Sequence, residues 1–203
     1  MLVLGVDTSL PLLSVALLKD GAVIGAVTLE GKGSRNEKLL PAIDWLLAES
    51  RTERHAIDLF AVTRGPGSFT GVRIGLATVQ RLALALNKPV VAMSTHEAIA
   101  QSVAAGGGGA PLSIADDAGR GEFYVSRFAH GKEIEAPHLA REVEPDALRV
   151  ADFVQRENVA AACALRAVAI VASGALDQYA DITPIYVRLA EAEVKLQQRN
   201  SGR

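Results

Sequence analysis

The sequence predicts an α/β chain made of two similar units, and three stretches carry that expectation. The first is Leu59 to Thr63, an apolar run that enters Arg64-Gly-Pro-Gly-Ser-Phe-Thr-Gly71 and then a long apolar helical pattern, Val72 to Leu86. Strand, glycine turn and helix follow one another without a linker. The second is the opening, where Leu2–Val6, Leu12–Leu18 and Ala22–Leu29 are apolar runs and Asp20-Gly21 separates the last two. Asp-Gly between apolar runs is a strong hairpin signal. The third is Pro111–Ala115 and Glu122–Phe128 around Asp116-Asp117-Ala-Gly-Arg-Gly121, which echoes the opening strand, acidic turn and strand at Asp7-Thr8-Ser9.

Between these landmarks the periodicity is helical from about Arg35 to Ser50, through Leu39, Leu40, Ile43, Leu46 and Leu47. Ser34 and Glu37 form a capping box, and Pro41 either starts the helix near residue 40 or kinks it. Trp45 reads either as core or as a partner contact. The helix from about Thr70 to Leu86 is apolar around nearly its whole circumference, broken by Arg73, Thr78, Gln80 and Arg81. Such a helix is interior, or it lies on its own sheet with its far side covered by another chain. Lys88 to Ser94 reads as a strand and turn, and Thr95 to about Ala104 as a helix in which His96 caps or is partly buried. Gly106 to Gly109 marks a joint that divides the chain into units of 1–105 and 106–203. Beyond it, Gly131–Glu144 reads as an edge hairpin or loop, Pro145 opens a helix to about Arg156, and Val159–Ser173 is an alanine-rich helix stopped by Gly174. Gln197 to Arg203 is polar and expected to fray.

Composition narrows the function classes. With 203 residues and 49% hydrophobic content the chain can bury a real core. A net charge of -2 argues against holding nucleic acid by global charge, so any RNA would be contacted mainly through a partner. One cysteine, Cys163, set among alanines, rules out an internal disulfide and reads as a buried thiol suited to a reducing compartment. The start lacks a positive n-region and Asp7 interrupts its apolar run, so a cytoplasmic protein without membrane contact is expected.

The glycine turn brings bare N–H groups to a helix start, an arrangement that favours anions. Asp7, Thr8, Ser9, Gly65, Gly67, Ser68 and Gly71 are therefore the candidate nucleotide or phosphate contacts, though Asp7-Thr8-Ser9 reads equally as a plain Asx turn. The spacing GxGxxxG is neither the dinucleotide GxGxxG nor a P-loop. Asp116 and Asp117 could hold a metal with phosphate or sit in a solvated turn. Four histidines, His55, His96, His130 and His138, supply no HExxH and no i, i+4 pair, so no zinc-helix site is predicted. Ser68 lies outside any Gly-x-Ser-x-Gly and reads as a helix cap, so no catalytic residue and no metal ligand is assigned.

Gly65-Pro-Gly-Ser-Phe-Thr-Gly-Val-Arg-Ile-Gly-Leu-Ala-Thr78, with Gly5-Val-Asp-Thr-Ser9, Asp117-Ala-Gly-Arg-Gly-Glu-Phe-Tyr124 and Pro184-Ile-Tyr-Val-Arg188, resembles the TsaB (YeaZ) family of tRNA threonylcarbamoyladenosine biosynthesis, relatives of the TsaD/Kae family. The likeness is weak between about Phe128 and Asp181. It implies an actin-like (ASKHA, ribonuclease H-like) fold with an abbreviated second unit, because the strand and glycine turn usual before the alanine-rich helix are missing here. It also implies a noncatalytic, dimerising scaffold for a TsaD-like catalytic subunit, joined by a TsaE-like ATPase and reaching tRNA indirectly, with a homodimer when alone. The two helices about 35–50 and 70–86 would dock, and Leu39, Ile43, Trp45, Leu46, Ile74, Val79 and Leu82 are the expected contacts. TsaD-type enzymes carry a histidine pair for metal just after the first sheet, where this chain has Ser34-Arg-Asn-Glu-Lys-Leu-Leu-Pro41. No cofactor is expected, save ATP or ADP at a subunit boundary. The alternatives are a self-sufficient actin-like nucleotide-binding enzyme and a glycoprotease-type peptidase.

Overall fold

In the computed structural model the described residues are 1–30, 35–107 and 110–188. Ser34 of the expected capping box, Gly108 and Gly109 of the joint, and the tail beyond Arg188 lie outside them.

The first sheet takes five strands, β1 (Leu2–Asp7), β2 (Leu12–Lys19), β3 (Ala22–Glu30), β4 (Leu59–Thr63) and β5 (Val90–Met93), in the order β3-β2-β1-β4-β5. The β1–β2–β3 meander is antiparallel, whereas β4 and β5 join β1 in parallel. Both faces are covered, which is why β1 is buried along its whole length and carries no polar side chain before Asp7. On one face lie the helices α1 (Arg35–Glu49) and α2 (Phe69–Leu86), which bury Leu4, Val6, Leu13, Val15, Leu17, Phe60 and Val62. On the other lies α5 (Val159–Ala172), packed on Val3, Ala16, Leu18, Ala61 and Met93. Alanines let this helix approach closely: a Cβ at Gly5 would stand 2.1 Å from the Ala160 carbonyl oxygen. Cys163 is buried in the same contact, and burial pushes its thiol well above the usual range.

The second sheet contains β6 (Leu112–Gly119), β7 (Glu122–Ala129), β8 (Lys132–Ala140) and β9 (Leu148–Arg149), in the order β8-β7-β6-β9. Its meander is antiparallel and β9 joins β6 in parallel, repeating the first sheet without, among the described residues, its last strand. This is the expected pair of similar units with the second abbreviated. The helices α3 (Thr95–Ala105) and α4 (Val150–Phe153) cover one face, through Ile99, Ile114, Phe128, Val150 and Phe153.

Several expectations need correction. Asp116 and Asp117 lie within β6, not in a turn, because they pair with Tyr124 and Phe123 and the reversal comes at Arg120-Gly121. Residues 132–140 are an edge strand, and the helix expected from Pro145 shrinks to one turn after β9. Helix α1 runs through Pro41 from Arg35, and α3 is capped by Ser94, whose hydroxyl accepts from the Glu97 amide. His96 is instead wholly buried.

Its Nδ1 lies 2.8 Å from the Ser126 hydroxyl on β7, and burial pushes its pKa down to about 3. Folding thus requires the neutral ring. Between the unfolded value near 6.5 and the folded value, each pH unit downward costs the native state on the order of 1 kcal/mol. Asp116 acts with the opposite sign, since burial raises its carboxyl to about 7 and its contribution is lost as pH rises from about 4 to 7. His96→Gln is expected to flatten the fall in urea midpoint between pH 6 and pH 4; parallel curves for the two chains would contradict it.

Candidate functional site

The turn Asp7-Thr8-Ser9 leaves β1 at the carboxyl ends of the parallel strands, where ligand sites of open α/β sheets gather. All three side chains are buried. The Ser9 hydroxyl donates to Asp7 Oδ1 at 2.6 Å, the Thr63 hydroxyl donates to the same oxygen, and Ser9 Oγ lies 2.9 Å from Thr95 Oγ1. Asp7 Oδ2 has no hydrogen-bond partner among the described residues, and burial pushes this carboxyl up from its ordinary range.

The glycine turn lies directly on this acid turn, and the contact explains the glycine spacing. A Cβ at Gly67 would come within 2.4 Å of the Ser9 carbonyl oxygen, one at Gly71 within 2.0 Å of the Thr8 carbonyl oxygen, and one at Gly75 within 2.3 Å of Thr8 Oγ1. Thr8 Oγ1 donates to the Gly71 carbonyl at 2.6 Å, and the Ser68 amide donates to the Ser9 carbonyl at 2.7 Å. Ser68 caps α2 as the sequence predicts, its Oγ accepting from the Gly71 amide at 3.2 Å. The missing side chains therefore admit the chain's own backbone. At Gly67 and Gly71 that close packing accounts for the glycines without a ligand. Of the seven candidates, Ser9, Gly67 and Ser68 line a cleft, whereas Asp7, Thr8 and Gly71 pack beneath it and Gly65 packs against the Ile185 carbonyl.

That cleft, of about 840 Å³, opens between the two sheets. Arg35, Phe69, Asp116, Asp117, Phe123, Tyr124, Arg149 and Asp152 complete most of its polar and aromatic lining. Arg35 donates to the Leu10 carbonyl at 2.9 Å, and the Arg149 guanidinium stands 4.9 Å from the Phe123 ring centroid. Desolvation is the main cause of the raised Asp116 carboxyl, and the charge of Asp7 adds to it. Sequence reasoning missed Arg35 and Arg149, which belong to no motif and meet the cleft only through the packing of α1 and the pairing of β9 with β6. Tyr124 carried a signal, standing at the end of the Asp117–Tyr124 string.

The expected docking residues divide sharply. Leu39, Ile43, Leu46 and Val79 are at most 3% exposed and belong to the chain's own core, a correction to their reading as partner contacts. They occupy the face of each helix that meets the sheet. Ile74 and Leu82 are half-buried against the same core, whereas Trp45 is 54% exposed. The outward face carries Leu40 and Trp45 on α1 and Arg73, Ala77, Gln80, Arg81 and Leu84 on α2. Leu84 is 82% exposed, the most open large apolar side chain described. By length and composition alone α2 could cross a membrane, but Val72, Leu76, Val79 and Ala83 seat it on the first sheet.

Two mixed sheets built to one plan, with a cleft between them and an acid at the end of the first strand, define the actin-like, ribonuclease H-like class. Within it the chain belongs to the TsaD family, tRNA N6-adenosine threonylcarbamoyltransferase, whose pattern matches residues 32–178. It is 36% identical to the tRNA threonylcarbamoyladenosine biosynthesis protein TsaB of Escherichia coli, over 67% of this chain and 62% of that one. It is 31% identical to the TsaB of Bacillus subtilis, over 76% of this chain and 65% of that one. The chain thus spans slightly less than two thirds of the length of each. The solved structure of YeaZ from Pseudomonas aeruginosa superposes with a TM-score of 0.72 at 29% identity, covering 91% of this chain and 99% of that one. Among the described residues no three His, Cys, Asp or Glu side chains converge as metal ligands.

Proposed function

We propose that the chain is a noncatalytic subunit in tRNA threonylcarbamoyladenosine biosynthesis that docks through the outward face of α1 and α2 onto a TsaD-type catalytic subunit. The reaction so served is transfer of threonylcarbamoyl from threonylcarbamoyl-AMP to N6 of the adenosine 3′ to the anticodon in tRNAs reading ANN codons, with a TsaE-type ATPase as third component, in the cytoplasm. The observation that carries the reading is the exposure of Leu40, Trp45 and Leu84, at 43, 54 and 82%, on the two helices. Large apolar groups left open on two adjoining helices suit a protein contact, and a specific interface covers roughly 800 Å² per side. Charge supports the same surface: α1 exposes Glu37 and Glu49 beside Asp44, which is paired with Arg54, and α2 exposes Arg81 beside Arg73, whose Nε is given to Tyr186. A second copy could lay its basic helix on the acidic one about a two-fold axis, giving the homodimer of the unpartnered chain. Reconstitution tests the proposal. Adding the chain to the TsaD-type and TsaE-type proteins with threonylcarbamoyl-AMP and tRNA is expected to raise incorporation into tRNA at least about tenfold, a transition-state gain of roughly 1.4 kcal/mol. Equal incorporation without it would refute the role.

The cleft favours a second reading, a self-sufficient nucleotide-binding enzyme, because Arg35, Arg149 and Asp116 face one cavity large enough for such a ligand. Calorimetry of the isolated chain with ATP and magnesium separates the two. Tight binding with turnover would favour the enzyme, and silence the scaffold.

A further inference from the structure

Residues 181–188 have no regular secondary structure, yet they are tied down through Asp181, Thr183, Ile185, Tyr186 and Arg188. The Thr183 amide donates to Asp181 Oδ1 at 2.9 Å, and Arg64 Nη1 donates to Asp181 Oδ2 at 3.2 Å and to the Thr183 carbonyl at 3.1 Å. The Ile185 amide donates to the Arg64 carbonyl at 2.7 Å, and the Ile185 carbonyl lies against Gly65, where a Cβ would come within 2.9 Å. This anchors the segment on the glycine turn.

The next residues reach both lips of the cleft. The Tyr186 ring packs on Phe69 with centroids 4.7 Å apart, and Arg73 donates from Nε to the Tyr186 hydroxyl at 2.6 Å while its guanidinium sits 3.8 Å over the Phe69 ring. Phe69 lines the cleft on the side of the first sheet. Arg188 donates to the Ala118 carbonyl at 2.9 Å and pairs with Glu122, and Ala118 lines the cleft on the β6–β7 hairpin. Tyr186 and Arg188 are two residues apart, a span of roughly 7 Å in extended chain.

We infer that residues 181–188 are a latch that sets the opening of the cleft, Tyr186 gripping the α2 lip and Arg188 the hairpin lip. The ion pair at its far end is part-exposed, with both side chains 25% accessible, so the grip is reversible without unfolding either sheet. The inference rests on these contacts, of which Arg73 is shared with the outward face of α2, and it is read in the unpartnered chain.

Paired spin labels at Gln80→Cys and Asp117→Cys test it, since both positions are exposed and Cys163 is too buried to react. The latched chain is expected to give one narrow distance distribution. Arg188→Ala should move it to longer distances by more than about 2 Å, the scale of a segment rearrangement. Tyr186→Phe, which keeps the ring but removes the hydroxyl, should broaden it less. If Arg188→Ala fails to fold, Arg188→Leu removes the same donors while keeping the stem. An unshifted distribution in a folded Arg188→Ala or Arg188→Leu overturns the latch.

Discussion

Gly71→Ala is expected to destabilise the chain by about 2–4 kcal/mol, against the roughly 1 kcal/mol of stabilisation that replacing a helical glycine by alanine ordinarily brings. The added Cβ would lie 2.0 Å from the Thr8 carbonyl oxygen and 3.2 Å from Ser68 Cβ. Neither is the free end of a flexible side chain. Relief requires α2 to lift from β1 or the acid turn to move, and either breaks the Thr8 bond to the Gly71 carbonyl and loosens the buried Asp7, Ser9, Thr63 and Thr95 cluster. For a chain of this length the loss corresponds to a fall in Tm of roughly 5–15 °C. Gly119→Ala separates space from conformation. No atom lies within 4 Å of its Cβ position, but its φ is +73°, so the cost should be about 1 kcal/mol from left-handed backbone alone. A Gly71→Ala chain as stable as the wild type in urea would show that the turn yields and that glycine is not required there for packing.

Much of the first unit was legible because its signals are local. The Asp20-Gly21 hairpin holds two residues in the left-handed region, φ 51° and 81°, as such a turn demands. The same backbone recurs at Arg120-Gly121 and His130-Gly131, but arginine and histidine do not announce it, so the sequence shows neither the full length of β6 nor β8 as a strand. Pro137 and the charges on β8 suit an edge strand and also hide one. Glycine spacing showed that side chains were absent without showing what fills the space, and Thr8 fills it at Gly71 from 63 residues away in sequence. Helix phase posed a similar problem. With apolar residues on nearly every side of α2, periodicity could not tell that Val79 faces the sheet and Leu84 faces outward.

Leu84→Asp is the second large effect. On the docking reading it places a carboxylate at the centre of an apolar contact, where an unpaired buried charge costs 3 kcal/mol or more, so affinity for the catalytic partner should fall at least about 100-fold. Stability should barely move, because a substitution at an exposed position typically stays within about 0.5 kcal/mol. Trp45→Asp should behave alike, and Val79→Asp should instead unfold the chain, since Val79 is 0% exposed.

Sedimentation of this chain mixed with a TsaD-type subunit from the same genome tests the scaffold account most directly. The account predicts one heterodimeric boundary with the wild type and two separate monomer boundaries with Leu84→Asp at unchanged Tm. A wild-type mixture that sediments as unassociated proteins, or a heterodimer indifferent to Leu84→Asp and Trp45→Asp, would contradict it.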